Sequence, residues 1–210
     1  MILLADPRVA AVPLRDCGEP LVEVASVASV RLDPRERDPD GAYGRVRLGV
    51  LNRLSRAAEA LPEGIGFLVI EGHRSASEQG RRFASYIERL RSSGISDPAE
   101  LRRQASAFVS PVEVAPHCAG AALDLTLVDA SGNELDMGCA VNGHRTGDEA
   151  LCPFDAPGLT AVALDNRRLL AGVLTDAGMV NYPSEWWHWS YGDRYWALIA
   201  HAERAVYGSV

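Results

Sequence analysis

Two short apolar segments constrain the fold of this chain most strongly. GFLVIEG, at 66–72, is rich in β-branched residues and has glycine at each end, which is typical of a buried strand. AALDLTLVDASGNELDMG, at 121–138, predicts two strands joined by a turn at Asp129–Asn133, a β-hairpin. Strands and helical patterns are mixed without regular βαβ alternation. The sequence therefore predicts an α+β fold in which helices pack on a small, mostly antiparallel sheet.

Helical spacing of apolar residues recurs in several segments. A first helix follows Val46 and stops before Pro62, and Ser75 or Ser77 can cap a second. The predicted helices cover about 46–61, 77–93, a short stretch after Asp97-Pro98, 160–177 and 193–206. Residues 139–158 lack periodicity and predict a long loop.

Length and composition fit one large globular domain or two small ones. The chain has 210 residues, of which 47% are hydrophobic, enough to build a substantial core. Residues 1–45 are interpreted as an N-terminal arm or first strand plus a loop that packs on the same domain, and 46–210 as its main part.

Charge and hydropathy exclude several classes of partner. The net charge of −7 repels phosphate backbones, so nucleic acid is not expected to bind. No apolar stretch is long enough to span a bilayer, and Asp6 interrupts the apolar start of the chain before a signal-peptide core can form. We therefore expect a cytoplasmic protein without a membrane partner, and the oligomeric state stays open.

The four cysteines are expected to be free thiols. They lack paired CxxC spacing and lie in a chain too large to need disulfide staples. Cys139 and Cys152 form the one pair to check for a bridge.

The segment PHCAGAALDLTL, at 116–127, carries the first chemical signal. On a strand, its three leucines share one face and Asp124 lies on the other, among small residues. His117 stands seven positions earlier and would point the wrong way on an uninterrupted strand. A break at Ala119-Gly120 can re-aim it, because glycine permits the dihedral angles of a bulge or tight bend.

The pentapeptide EWWHW, at 185–189, carries the second chemical signal. Glu185 and His188 are three apart and face opposite ways on a regular strand, so the segment must contain an irregularity if both serve one site. Pro183 makes that irregularity plausible. The tryptophans are then interpreted as rigid walls that exclude water.

Together, His117, Asp124 and His188 match the three protein ligands of a catalytic zinc site, one ion per chain, and Glu185 is placed as its general base. Each residue alone also fits a structural role, and only the combination favours a metal. Cys118 is kept as an alternative soft ligand. No metal role is assigned to the other histidines, which are His73, His144 and His201.

Arg74 follows the buried strand in VIEGHRS. It can form a salt bridge with a nearby carboxylate, or it can stabilise a developing oxyanion as an always-charged planar donor. The sequence leaves both roles open.

The motifs EGHRS, PHCAGAALDLTL, DMG and SEWWHWSYGD, in this order over about 45–200, resemble those of the zinc D-alanyl-D-alanine dipeptidases. That family, found in vancomycin resistance, is related to the zinc D,D-carboxypeptidases and shares a fold with the hedgehog signalling domain. The resemblance implies a hedgehog-like single domain with 46–210 as the catalytic part, and hydrolysis of a small dipeptide, most simply D-Ala-D-Ala, in a closed pocket. It implies the zinc ligands and general base proposed above, and Arg74 as the group that stabilises the tetrahedral intermediate.

Three positions depart from the family pattern. Ala115 replaces a common serine, Asn142 a common aspartate that helps to hold the substrate ammonium, and His73 a common tyrosine. These departures leave the exact dipeptide and its stereochemistry open. The alternatives are a zinc D,D-carboxypeptidase or peptidoglycan peptidase, a tailoring hydrolase for another small amide, and a non-catalytic zinc module.

Overall fold

The computed structural model describes residues 2–35, 40–143 and 147–210, with the side chains of residues 107 and 108 left out. Seven strands lie in these ranges: β1 (Leu21–Glu23), β2 (Val30–Leu32), β3 (Arg45–Arg47), β4 (Gly66–Glu71), β5 (Ala122–Val128), β6 (Val180–Tyr182) and β7 (Glu185–Ser190). The α-helices of the same ranges are α1 (Pro7–Ala10), α2 (Leu48–Glu59), α3 (Ala76–Ser92), α4 (Pro98–Phe108), α5 (Ala161–Asp176) and α6 (Arg194–Ile199).

A five-stranded sheet with the order β2-β4-β5-β7-β6 forms the centre of the fold. Only β2 pairs in parallel, with β4, and the other three pairs are antiparallel. β1 and β3 form a separate antiparallel ribbon. The predicted α+β class with a mostly antiparallel sheet is confirmed.

The main core lies on the face of β5 that carries its leucines. Leu123, Leu125 and Leu127 are completely buried there, together with residues of α2 and α5 such as Leu54 and Leu170. The opposite face of β5 is left for its polar residues, as the alternation of the sequence predicts.

The helix predictions hold for α2 to α5 to within about two residues. Ser75 caps α3 by accepting a hydrogen bond from Glu78 N. Asp97 does the same for α4, with Pro98 in the first turn. Both caps satisfy backbone N–H groups that the first helical turn leaves without partners. In α2, the fully buried positions include Val50 and Leu54, and Leu48 is exposed.

Two sequence predictions are corrected by the structure. The turn at Asp129–Asn133 forms, but the second strand of the hairpin is reduced to an isolated bridge between Val128 and Glu134. Gly138, with φ +85°, turns the chain away there, and Asp136 accepts a hydrogen bond from its N–H. The last helix, expected over 193–206, ends at Ile199.

His201 accounts for that early end. Its φ of +55° lies in the left-handed region, which an α-helix cannot continue through. The backbone N–H of Val206 bonds instead to Gly192 O, so the C-terminal segment folds back along the turn before α6.

The cysteines and the helices settle two smaller points. All four cysteines are free thiols, as expected. None of the described helices combines the length and the apolar composition that a membrane span requires. The division into an arm, 1–45, and a main part, 46–210, stays a prediction.

Candidate metal centre

His117 is delivered by a tight turn and not by a strand. Residues Pro116–Ala119 form a 3₁₀ turn that ends at Gly120 with φ +63°, so the predicted break before β5 is present. His117 Nδ1 lies 2.6 Å from Gly72 O. A carbonyl oxygen only accepts, so in the neutral ring Nδ1 carries the proton and Nε2 presents a lone pair.

Asp124 and His188 are brought together by strand pairing. They are direct partners in the antiparallel ladder between β5 and β7, so their side chains project from the same face of the sheet. Asp124 Oδ1 and His188 Nδ1 are 3.0 Å apart.

The three side chains converge on one point. His117 Nε2 lies 3.2 Å from His188 Nδ1 and 3.3 Å from Asp124 Oδ1. Four ligands placed about 2.0–2.1 Å from a tetrahedral zinc ion are separated from one another by about 3.3 Å. Two imidazole nitrogens and one carboxylate oxygen at this spacing therefore fit zinc in donor type and in geometry, and they form a candidate metal-binding group.

The group lies in a dry environment. His117, Asp124 and His188 are each at most 5% exposed. Burial alone would raise the pKa of Asp124, but its interactions with His117 and His188 outweigh burial and lower the pKa below its ordinary value. Asp124 is therefore a carboxylate, the form that binds a cation.

Glu71 is a site residue that the sequence interpretation missed. A bulge in β4 makes Ile70 the extra residue, so that Glu71 pairs with Asp124 and not with Leu123. Glu71, Asp124 and His188 thus form one row across three strands. The signal in the sequence was a carboxylate at the end of an otherwise apolar strand, three positions before Arg74.

Arg74 forms a bidentate ion pair with Glu71. Its Nε and Nη2 donate to the two carboxylate oxygens at 2.6 and 2.7 Å, and its Nη1 donates to Gln79 Oε1 at 2.6 Å. Burial would lower the pKa of Arg74 and raise that of Glu71, but the pairing reverses both shifts and keeps both groups charged. These contacts use three of the five N–H groups of a guanidinium, so the salt bridge does not by itself exclude an oxyanion role.

Arg74 is also fixed relative to the metal-binding group. Its backbone N–H donates to His117 O at 3.1 Å, beside the bond from His117 Nδ1 to Gly72 O. The segment after β4 and the turn that carries His117 are thus joined by two hydrogen bonds.

Glu185 opens β7 at an irregularity of the kind that its spacing requires. Tyr182 pairs with Glu185, whereas the preceding Asn181 pairs with Trp189, so β7 carries extra residues between the two pairs. Asn181 Nδ2 lies 3.1 Å from Glu185 O and 3.0 Å from His188 O. This side chain spans the irregular segment. The role of Glu185 as a base stays a prediction.

The tryptophans of the same segment are core residues. Trp186, Trp187 and Trp189 are at most 2% exposed and belong to the main core cluster. They can exclude water from one side of the site while they stabilise the fold.

Cys118, the alternative ligand, and the histidines without an assigned metal role are not part of the group of three as far as the structure describes them. Cys118 is buried, its pKa is raised to about 11 by burial, and it is not part of the cluster. His73 is buried beside Arg74 and His201 is exposed after α6. His144 lies outside the described residues.

A cavity of about 250 Å³ lies along β5, and its lining begins two residues beyond Asp124. It is lined by residues 134–140, Thr126 and Trp186. Thr126 is two residues beyond Asp124 on β5, so it lies on the same face of the strand, about 7 Å along it. Asn142, just beyond this wall, has φ +61°, a conformation that asparagine tolerates.

Comparison with known proteins assigns the chain to a family. The model of peptidase family M15, described as D-Ala-D-Ala dipeptidase, matches residues 52–204, which is most of the chain. The chain belongs to this family. It is therefore a metallopeptidase by family, and the match contains every residue of the candidate metal centre.

Two relatives of this M15 peptidase are described as D-alanyl-D-alanine dipeptidases. A D-alanyl-D-alanine dipeptidase of Synechocystis sp. is 29% identical over 95% of both chains. One of Escherichia coli K12 is 42% identical over 34% of this chain and 35% of that protein. The structure of the LD-carboxypeptidase LdcB has a TM-score of 0.51 at 18% identity, covering 91% of this chain and 76% of that one, and supports the shared fold alone.

Proposed function

We propose that this M15 peptidase hydrolyses the peptide bond of a small dipeptide, D-Ala-D-Ala first, with one zinc ion held by His117, Asp124 and His188. The single observation that carries the proposal is the convergence of three buried donor atoms within 3.3 Å of one another. The lone pairs of three such atoms in a buried site repel one another unless a cation or a proton lies between them. The family and its dipeptidase relatives support the substrate class.

The three ligands set the net charge of the metal centre and the orientation of its donor atoms. Two neutral imidazoles and one carboxylate leave about one net positive charge on the centre. When bound, zinc polarises a carbonyl oxygen and lowers the pKa of water from about 16 toward 7. The hydrogen bond from His117 Nδ1 to Gly72 O fixes the ring so that Nε2 faces the ion.

Glu185 acts as the general base and acid. It removes a proton from the attacking water and delivers it to the departing amine, while the carbonyl carbon passes through a tetrahedral state. The irregularity in β7 supports this role, because it releases Glu185 from the strand alternation that separates it from His188.

Arg74 stabilises the oxyanion that develops on the scissile carbonyl. The bidentate bond to Glu71 fixes the guanidinium plane, and its remaining N–H groups are available to the substrate. Preorganisation of this kind avoids the cost of reorienting a mobile charge during the reaction.

The substrate extends from the metal-binding group along β5 into the cavity lined by Thr126 and Trp186. The cavity volume of about 250 Å³ is sufficient for a small molecule such as a dipeptide. Trp186 and the buried tryptophans behind it exclude water. Location in the cytoplasm stays a prediction.

A screen of dipeptides tests the proposal. Purified zinc-loaded protein should hydrolyse free D-Ala-D-Ala, lose activity with a chelator and regain it with zinc. A capped peptide that ends in D-Ala-D-Ala should be a poor substrate. Preference for the capped peptide would indicate a carboxypeptidase, turnover only of other amides a tailoring hydrolase, and no turnover of any amide by zinc-loaded protein a non-catalytic zinc module.

A further inference from the structure

Arg167 is a completely buried cation in the middle of α5. Its side chain is 0% exposed and takes a place on the inward stripe with Ala163, Leu170 and Leu174. Among the described residues it has no ion-pair partner. A buried charge without a counter-ion is costly unless every donor is satisfied.

Backbone carbonyls satisfy the guanidinium. Nε donates to Met137 O at 2.8 Å and Nη2 to Leu151 O at 2.7 Å. Nη1 donates to Pro153 O at 2.6 Å and to Phe154 O at 2.9 Å. The fifth N–H group, the second on Nη2, points toward Cys139 Sγ, which lies 3.9 Å from Nη2. Acceptors from a single loop therefore surround all five N–H groups of the planar guanidinium.

These contacts hold both ends of the long loop between β5 and α5. One set lies at 137–139 and the other at 151–154, on either side of the loop's middle. Arg167 therefore fixes two remote segments to one rigid helix. An apolar residue at this position would fill space but hold neither segment.

The segment at 137–139 is part of the wall of the cavity that Thr126 and Trp186 also line. Trp186 completes that side: its ring lies 5.4 Å from Arg167 Cζ, and its Nε1 donates to Cys139 Sγ at 3.3 Å. Trp186 is two residues before His188. The guanidinium thus sets the position of the cavity wall relative to the candidate ligands.

We propose that Arg167 is a positioning residue that shapes the dipeptide pocket through the backbone of 137–139 and 151–154, an inference that rests on the function proposed above. It touches neither the metal ligands nor the reacting atoms. Its removal should loosen binding of the substrate while leaving the metal centre and the chemical step in place.

The test compares Arg167→Met with Arg168→Met in zinc-loaded protein. Arg168 is the adjacent arginine on the exposed face of α5, with its side chain 70% exposed, and serves as the matched control. We expect KM for D-Ala-D-Ala to rise about tenfold or more in Arg167→Met with kcat within about threefold of wild type, the pattern of lost uniform binding. Zinc content should stay at one ion per chain.

Amide hydrogen exchange provides a readout independent of turnover. In Arg167→Met, exchange should accelerate at Cys152 and Phe154 and remain unchanged in β4. If Arg167→Met does not fold, Arg167→Lys replaces it, because an ammonium keeps the charge but cannot reach all four carbonyls. The same rise in KM, smaller in size, is then expected.

One result overturns the inference: the wild type is active and KM is unchanged in the folded Arg167 variant. If exchange in the loop is nevertheless faster in that variant, Arg167 has a purely structural role. A zinc-loaded wild type that cleaves no dipeptide overturns instead the function on which the inference rests, so the two failures are distinguishable.

Discussion

Asp124 and His188 face each other directly across the β5–β7 ladder, with Asp124 Oδ1 3.0 Å from His188 Nδ1. The pairing register alone therefore places two of the three candidate ligands side by side. A slip of one residue would send one of the two side chains to the opposite face of the sheet. The sheet therefore fixes the geometry of this pair, and the turn at Pro116–Ala119 adds His117 to it.

Glu185→Gln should abolish most turnover without removing the metal. Glutamine has nearly the same shape but cannot accept the proton of water, so kcat should fall by about 10²–10⁴. Steady-state kinetics and metal analysis of the same sample measure the two quantities. Glu203→Gln, at an exposed carboxylate, is the control. Near-normal turnover in Glu185→Gln would mean that another group is the base.

Arg74→Ala should lower kcat by about 10²–10³ through loss of oxyanion stabilisation. It also leaves the buried Glu71 carboxylate without its main partner, so the free energy of unfolding should fall by about 3–5 kcal/mol. Urea unfolding and kinetics at a temperature where the variant is folded separate the two effects. Arg81→Ala removes an exposed ion pair and should change stability by less than about 0.5 kcal/mol. Equal effects of the two variants would refute a special role for Arg74.

Gly120→Ala should weaken zinc binding and stability together. Gly120 has φ +63°, and an added Cβ would lie 2.4 Å from Leu21 Cδ2. The strain should cost about 1–3 kcal/mol, and relief by movement of the turn would displace His117. Competition with a chromophoric chelator measures the affinity. Gly80→Ala, within α3 and with open space around it, should be neutral or stabilising. Unchanged zinc affinity in Gly120→Ala would show that the turn does not position His117.

Asn181→Ala should reduce kcat more than it changes KM. Asn181 Nδ2 contacts the carbonyls of Glu185 and His188 and so holds the irregular part of β7. Loss of these hydrogen bonds should lower the free energy of unfolding by about 1–3 kcal/mol and let Glu185 drift. Kinetics and thermal unfolding check both effects. A destabilised variant with wild-type kcat would assign Asn181 to folding alone.

The alternation of leucines in β5 was sufficient to place Asp124 on the polar face, and parity arguments predicted both the break before β5 and the irregularity in β7. These predictions succeeded because strand alternation depends on neighbouring residues only. A pair of site residues with the wrong spacing for one face therefore reveals an irregularity from the sequence alone. The caps of α3 and α4 were predictable for the same reason, since they depend on neighbouring residues only.

Other features depend on contacts that are remote in sequence. The bulge at Ile70 re-aims Glu71, and nothing in the apolar run 66–70 specifies it. The second hairpin strand was lost because Gly138 turns the chain toward α5. Arg167 occupies a core position of α5, and a search for apolar residues does not find it. Its helical spacing from Ala163 and Leu170 nevertheless places it on the buried face.

The zinc content of purified protein and of His188→Ala tests the central claim most directly. After zinc loading and removal of loosely bound ions, wild type should retain about one zinc per chain by elemental analysis, and His188→Ala should retain almost none while still folded by circular dichroism. A wild type that retains no zinc, or a His188→Ala variant that retains the wild-type amount, would contradict a metal centre at His117, Asp124 and His188.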